Sequence, residues 1–98
     1  MIIQELFQQL ETSSHPVARA LHKTDHSKAL AIGFKKGMIM KDHKTSLPAK
    51  LFVIQGSVLY KEGALARLLN QYEETPIPQN IIHSVECIED ALRILVQG

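Results

Sequence analysis

The sequence has 98 residues, 45 % hydrophobic and 21 % charged, which is typical of one globular domain and too short for two. Its net charge of +1 excludes a strong overall field for binding nucleic acid or an acidic membrane, so neither is expected as a partner. One cysteine permits no internal disulfide and the first residues resemble no secretory signal, so we expect a cytoplasmic protein.

Apolar residues near the start of the chain recur at helical spacing. They are Ile2, Ile3, Leu6, Phe7 and Leu10. Helix propensity falls at residues 12–14, so we predict one short amphipathic helix, with residues 1–15 forming this helix and its connection. The apolar face of the helix either caps the domain or pairs with a second copy of the chain, and capping is the preferred interpretation.

From residue 16 onward, short apolar segments alternate with turn residues, which indicates β-strands. The predicted strands cover residues 27–34, 38–41, 51–54, 57–60, 64–69, 73–77, 81–87 and 91–96. We expect a tight reversal at Gly56 and a break at residues 89–90, while residues 65–69 also suit one or two helical turns. Seven or eight short strands without a long helix predict an all-β sandwich or barrel over residues 16–98, within a single domain of residues 1–98.

Two stretches carry a paired spacing of histidine, glycine and proline positions. The first contains Gly37, His43, Thr45, Ala49 and Gly56, and the second contains Pro78, Asn80, His83 and Cys87. Both spacings resemble the two motifs of the cupin superfamily, in which the first motif carries His-x-His and a glutamate between glycines and the second carries Pro-x-Gly-x-x-His. The resemblance covers about residues 16–98. It implies a cupin-like jelly-roll β-barrel, or double-stranded β-helix, with one short N-terminal α-helix.

In metal-binding cupins, two histidines and a glutamate of the first motif join the histidine of the second motif around a divalent ion. By resemblance those positions are His43, Thr45, Ala49 and His83 here, so two ligands of four remain. Threonine is a poor neutral ligand and alanine is none. We therefore expect no cofactor, with a divalent transition metal on His43 and His83 as the alternative. Cys87 is either a soft third ligand or, preferably, inert packing.

The resemblance also directs one set of side chains into the barrel. These predicted pocket residues are His43, Thr45, Ala49, Leu51, Val53, His83, Val85 and Cys87. The sequence assigns no catalytic residue, and we expect a binding or structural module with a degenerate pocket for a small molecule. A monomer would expose the unpaired edges of the outer strands and the apolar face of the helix to solvent, which favours a homodimer.

Two other functions remain open. One is a metal-dependent enzyme, isomerase or dioxygenase-like, that uses His43 and His83. The other is a metal-free pocket for a small anion or sugar-like molecule, with the two histidines as hydrogen-bond donors.

A basic cluster surrounds the first motif and consists of Lys35, Lys36, Lys41, Lys44 and Lys50. The preferred interpretation of this cluster is a solvated strand edge. The alternative is that its positive charge attracts an anionic ligand.

Overall fold

The computed structural model describes residues 1–98, apart from the side chain of Asp42. Within these residues it contains one helix followed by seven strands. Their order is α1 (Ile2–Glu11), β1 (Val17–Lys23), β2 (Lys28–Phe34), β3 (Ile39–His43), β4 (Ala49–Glu62), β5 (Leu65–Leu69), β6 (Glu74–Ile77) and β7 (His83–Gln97). The predicted short N-terminal helix and the predominance of strands are confirmed.

The two longest strands, β4 and β7, pair with each other, and every other described strand except β1 pairs with one of them. The first half of β7 also pairs with β3 and its second half with β2, while β6 and β5 pair with the first and last parts of β4. One half-sheet therefore contains β1, β2, the end of β7, the start of β4 and β6. The other contains β3, the start of β7, the end of β4 and β5, and buried residues from both halves form one core. This arrangement is the expected jelly roll.

The predicted reversal at Gly56 is wrong, and so is the predicted break at residues 89–90. Instead β4 and β7 continue through both positions, and the register of their pairing shifts between Val53 and Val58. Gly56 has a φ of +77°, and a Cβ there would overlap the backbone carbonyl of Asp90. Gly56 therefore lies in a β-bulge rather than in a turn. At this bulge the two long strands bend together from one half-sheet into the other.

The sequence prediction omits the edge strand β1 and leaves the edge strand β5 open between a strand and a helical turn. Strand β1 is absent from the predicted set, because only Val17 among its residues is buried and its pattern is weakly apolar. Residues Leu65–Leu69, which also suited a helical turn, form strand β5 and pair with the end of β4.

Helix α1 covers the outer face of one half-sheet. Leu6 and Leu10 are buried against Val17, Ala31 and Leu92, so the apolar face of the helix packs on strands of its own chain. The close approach depends on Gly33, where an added Cβ would lie 2.5 Å from Cδ2 of Leu6. Among the described residues, no helix has both the length and the apolar character needed to cross a membrane.

Candidate functional site

The histidines of the two motifs meet at one end of the barrel. His43 is the last residue of β3 and His83 is the first residue of β7, and the two are partners in the antiparallel ladder. Their ring centroids are 4.2 Å apart, His83 is buried and His43 is half-buried. The structure therefore brings together the two histidines that the motif spacing singled out.

Both imidazoles are oriented by a backbone carbonyl. Nδ1 of His43 lies 2.8 Å from the carbonyl oxygen of Lys41, and Nδ1 of His83 lies 3.2 Å from that of Ile81. Because a carbonyl oxygen only accepts, the proton of each ring must be on Nδ1 in these hydrogen bonds. Nε2 of each ring is then the atom available to a ligand, as an acceptor in the neutral ring and as a donor in the protonated ring.

His83 lies in an environment that opposes protonation. Burial chiefly lowers its pKa from 6.5, and the positive charges of His43 and Arg93 add to this effect, against the opposing influences of the Ile81 carbonyl and Glu62. The ring of Tyr60 stacks near His83, at 5.7 Å between centroids. The hydroxyl of Tyr60 donates to Oε2 of Glu62 at 2.7 Å, and burial together with this bond raises the tyrosine pKa. At neutral pH, His83 is a neutral ring beside a protonated phenol.

The other predicted pocket residues are placed differently. Thr45 is buried, and its hydroxyl donates to the carbonyl of Leu47 at 2.7 Å. The remaining five form part of the packed hydrophobic core, and they are Ala49, Leu51, Val53, Val85 and Cys87. Sγ of Cys87 donates to the carbonyl of Glu89 at 3.0 Å. The predicted pocket residues other than the two histidines are therefore engaged in the core or with backbone carbonyls.

The donor set does not fit the resident divalent ion of a metal-binding cupin. Among the described residues, no group of three or more His, Cys, Asp and Glu side chains is arranged to hold a metal. The Thr45 hydroxyl is engaged with a carbonyl, and Ala49 offers no donor atom. The two imidazole nitrogens that the described side chains supply are fewer than the three protein ligands that such catalytic sites use.

A cavity of about 420 Å³ opens beside His43. Its polar and charged lining includes Lys28, Lys44, Thr45 and Gln97, and Met40 contributes to its wall. No described carboxylate lines this cavity, so its field is positive. Because His43 is half-buried and lines this space, the cavity gives a ligand direct access to His43, whose ring lies against that of His83.

A second depression, of about 550 Å³, is lined by His83 and not by His43. Its wall includes Lys61, Asn80 and the exposed Ile82. His83 itself is only 2 % exposed, so this depression gives a ligand little access to its imidazole, whereas His43 is half-buried. The cavity beside His43 is therefore the better candidate binding site.

Sequence reasoning missed Arg93, a buried residue of β7. The guanidinium is 1 % exposed, Nη2 donates to the sulfur of Met40 at 2.9 Å, and the group lies 5.0 Å from the centroid of the Phe34 ring. The signal was present in the alternation of the last predicted strand, which places Ala91, Arg93 and Leu95 on one face. An arginine between two apolar residues on an inward face marks a buried charge.

The comparisons with known proteins agree with the observed architecture. No protein-family model matches the sequence, and no curated protein matches it. A cupin superfamily protein from Desulfitobacterium hafniense DCB-2 is similar in structure, with a TM-score of 0.82 and 13 % identity over 87 % of this chain and 78 % of that one. KdgF from Halomonas sp. is also similar, with a TM-score of 0.77 and 19 % identity over 88 % of this chain and 82 % of that one.

A larger protein contains the same architecture as one part of its chain. Oxalate decarboxylase from Bacillus subtilis has a TM-score of 0.81 at 16 % identity, over 88 % of this chain and 26 % of its own. At such low identities the likeness concerns the course of the backbone, and it carries no assignment of activity. The half-sheet topology, the paired motif histidines and these structural neighbours together show that this protein has the fold of the cupin superfamily.

Proposed function

We propose that this protein is a small-molecule binding module that works without a resident metal ion, and that its ligand enters the cavity beside His43. The observation that carries this proposal is the histidine pair itself. The two rings have centroids 4.2 Å apart, and each is held by a backbone carbonyl at Nδ1, which leaves Nε2 free, while His43 lines the cavity. Rigidly held polar groups in a concave site are typical of binding pockets.

The chemistry of the pair suits recognition of a polar ligand. A neutral His83 accepts a hydrogen bond at Nε2, and the half-buried His43 contributes a second polar atom nearer the cavity. The absence of a third metal-ligand side chain among the described residues leaves both nitrogens for the ligand. The wall of the cavity also carries apolar groups such as Met40, which exclude water from these hydrogen bonds.

The test is a titration of metal-stripped protein, followed through the ring ¹⁵N signals of its histidines by NMR. The probes are two anions, succinate and phosphate, and two neutral compounds, succinamide and xylose. Saturable shifts of His43 and His83 with any of these probes, with the exposed His22 unchanged, support the proposal. A panel that moves neither ring contradicts it. His43→Ala is expected to weaken binding of the active probe, whereas His22→Ala is the matched control.

A metal-dependent enzyme using His43 and His83 is the competing function, and the free Nε2 atoms of the pair favour it. Metal analysis of protein purified without a histidine tag separates the two. A stoichiometric transition metal, or stabilisation on adding Mn, Fe, Ni or Zn, contradicts the metal-free proposal. Substoichiometric metal without stabilisation supports it.

The proposal includes a homodimer. Strand β5 pairs with β4 alone among the described strands, and its Leu65 and Leu68 side chains are exposed. A second copy of the chain would cover these side chains and the open strand edge. Sedimentation at micromolar concentration is expected to give a dimer, and Leu68→Glu is expected to give a monomer. A monomeric wild-type chain contradicts this part.

A further inference from the structure

Arg93 is a buried cation on strand β7. It lies midway along the second half of β7, opposite Ile32 on one neighbouring strand and Val53 on the other. Its side chain is 1 % exposed and ranks first in volume among the fully buried side chains. A charge in this position loses nearly all its hydration, so its partners inside the protein decide what the burial costs.

Those partners are weak. Nη2 donates to the thioether sulfur of Met40, which is a poor acceptor, and the guanidinium lies over the face of Phe34. Nε has no hydrogen-bond partner, and no described carboxylate forms an ion pair with this group. Burial lowers the arginine pKa to about 10, so the side chain is still positively charged at neutral pH. The fold thus holds a cation whose counter-charge is not supplied by the described side chains.

Met40 connects this cation to the candidate binding site. Its sulfur accepts from Arg93, and its side chain lines the cavity that opens beside His43. Methionine is unbranched and flexible, so it adopts other rotamers at low cost. The cavity also carries Lys28 and Lys44 and no described carboxylate. Positive charge therefore extends from the cavity mouth to the buried guanidinium.

We propose that the ligand of this cavity is a small oxyanion, a carboxylate or a phosphate, and that Arg93 is its buried counter-charge. The inference rests on the binding function proposed above and specifies its ligand class. Lys28 and Lys44 attract the anion at the mouth, and Met40 moves aside as an anionic oxygen takes over the hydrogen bond from Nη2. The planar guanidinium suits the two oxygens of such a group better than the single sulfur that it now contacts.

This role makes a prediction that a purely structural arginine does not make. Arg93→Met keeps a long side chain but removes the uncompensated charge, so the variant without ligand is expected to melt at or above the wild-type temperature. The same variant is expected to bind the active anion about tenfold or more weakly, because its buried charge partner is lost. An arginine retained for packing alone gives the opposite result, with a lower melting temperature and unchanged binding.

The experiment uses matched probes at constant ionic strength and fixed chloride concentration. Succinate and phosphate are compared with succinamide by thermal melting and calorimetric titration, on wild type, Arg93→Met and Arg67→Met. Arg67 is exposed on β5, so Arg67→Met controls for the change in net charge. We expect a saturable stabilisation of wild type and Arg67→Met by succinate, by phosphate or by both, no effect of succinamide, and a loss of the effect in Arg93→Met. The two anions distinguish a carboxylate site from a phosphate site.

A second measurement does not depend on any variant folding. The ¹⁵Nε signal of Arg93 in the wild-type protein is expected to shift when the active anion is added and to stay unchanged with succinamide. The proposal is overturned if no anion in the panel binds, if Arg93→Met binds as wild type does, or if the Arg93 signal stays unchanged. If a neutral probe shifts the histidine signals and neither anion does, the oxyanion is overturned as the ligand class, and the proposed binding function stands.

Discussion

His43 and His83 face each other across neighbouring antiparallel strands, with ring centroids 4.2 Å apart and with both Nδ1 atoms directed at backbone carbonyls. Two imidazoles this close repel each other when both are protonated. The arrangement therefore favours at least one neutral ring, and the deeply buried His83 is that ring. The consequence is a stability that depends on pH.

The free energy of unfolding is expected to fall as the pH is lowered from about 7.5 to 5.5, because the pKa of His83 in the folded protein lies below its ordinary 6.5. In this range the unfolded chain binds more protons at this position than the folded chain, so acid favours unfolding. Above the ordinary value both states are neutral and the stabilising difference is fully present. Urea denaturation at several pH values measures the effect.

Replacement of the histidine provides the control for this pH dependence. His83→Gln is expected to flatten the change between these pH values, whereas His22→Gln, on the exposed strand β1, is expected to retain it. Equal pH profiles for the wild type and His83→Gln would show that the pH dependence arises elsewhere.

Cys87 is expected to resist thiol reagents in the folded protein. Burial first, and the negative charge of Asp90 second, raise its pKa to about 11, and its Sγ donates to the Glu89 carbonyl. The thiolate is the reactive form, so little of it is present at pH 8. Labelling with Ellman's reagent should be slow in buffer and complete in denaturant. Rapid labelling in buffer contradicts the burial, and the single cysteine makes the signal unambiguous.

How far the sequence predicted this fold can be seen at the bends of β4 and β7. A glycine with turn character between two apolar runs predicts a reversal, and a Glu-Asp pair predicts a break, yet Gly56 lies in a bulge opposite residues 89–90. Local propensity does not distinguish a bend from a reversal, because both need a positive φ or an interrupted ladder. The choice is made by the pairing of β4 with β7, whose paired residues at the bend lie more than thirty positions apart in the sequence, and no local pattern contains that pairing.

The sequence predicted the two histidines of the candidate site but not Arg93. Motif spacing identified His43 and His83, since each histidine is held at a strand end that the jelly roll brings into register. Arg93 was missed because its single position in an apolar alternation carries no motif. Its importance comes from the surrounding Phe34 and Met40, which arrive from other strands. Long-range contacts rather than residue type make it a candidate binding residue.

Two glycines with positive φ are expected to respond very differently to alanine. Gly37→Ala adds a Cβ that meets nothing within 4 Å, so it carries only the backbone strain at φ +88°, about 1 kcal/mol. Gly56→Ala has similar backbone strain, and in addition its Cβ would overlap the Asp90 carbonyl at the bend. We expect it to destabilise the protein by several kcal/mol more, or to prevent folding. Urea denaturation of both variants gives the comparison, and equal losses would contradict the role of Gly56 in the bend.

The contact between helix α1 and the sheet is expected to couple the effects of substitutions at Leu6 and Gly33 on stability. Leu6→Ala removes a fully buried side chain and is expected to cost about 3 kcal/mol of stability. Gly33→Ala is also expected to destabilise, because its new Cβ would lie 2.5 Å from Cδ2 of Leu6. In the Leu6→Ala background that clash is gone, so adding Gly33→Ala should cost much less than it does alone. A double-mutant cycle measured by urea denaturation gives the coupling energy. Additive costs would mean that the helix does not pack on the sheet through this pair.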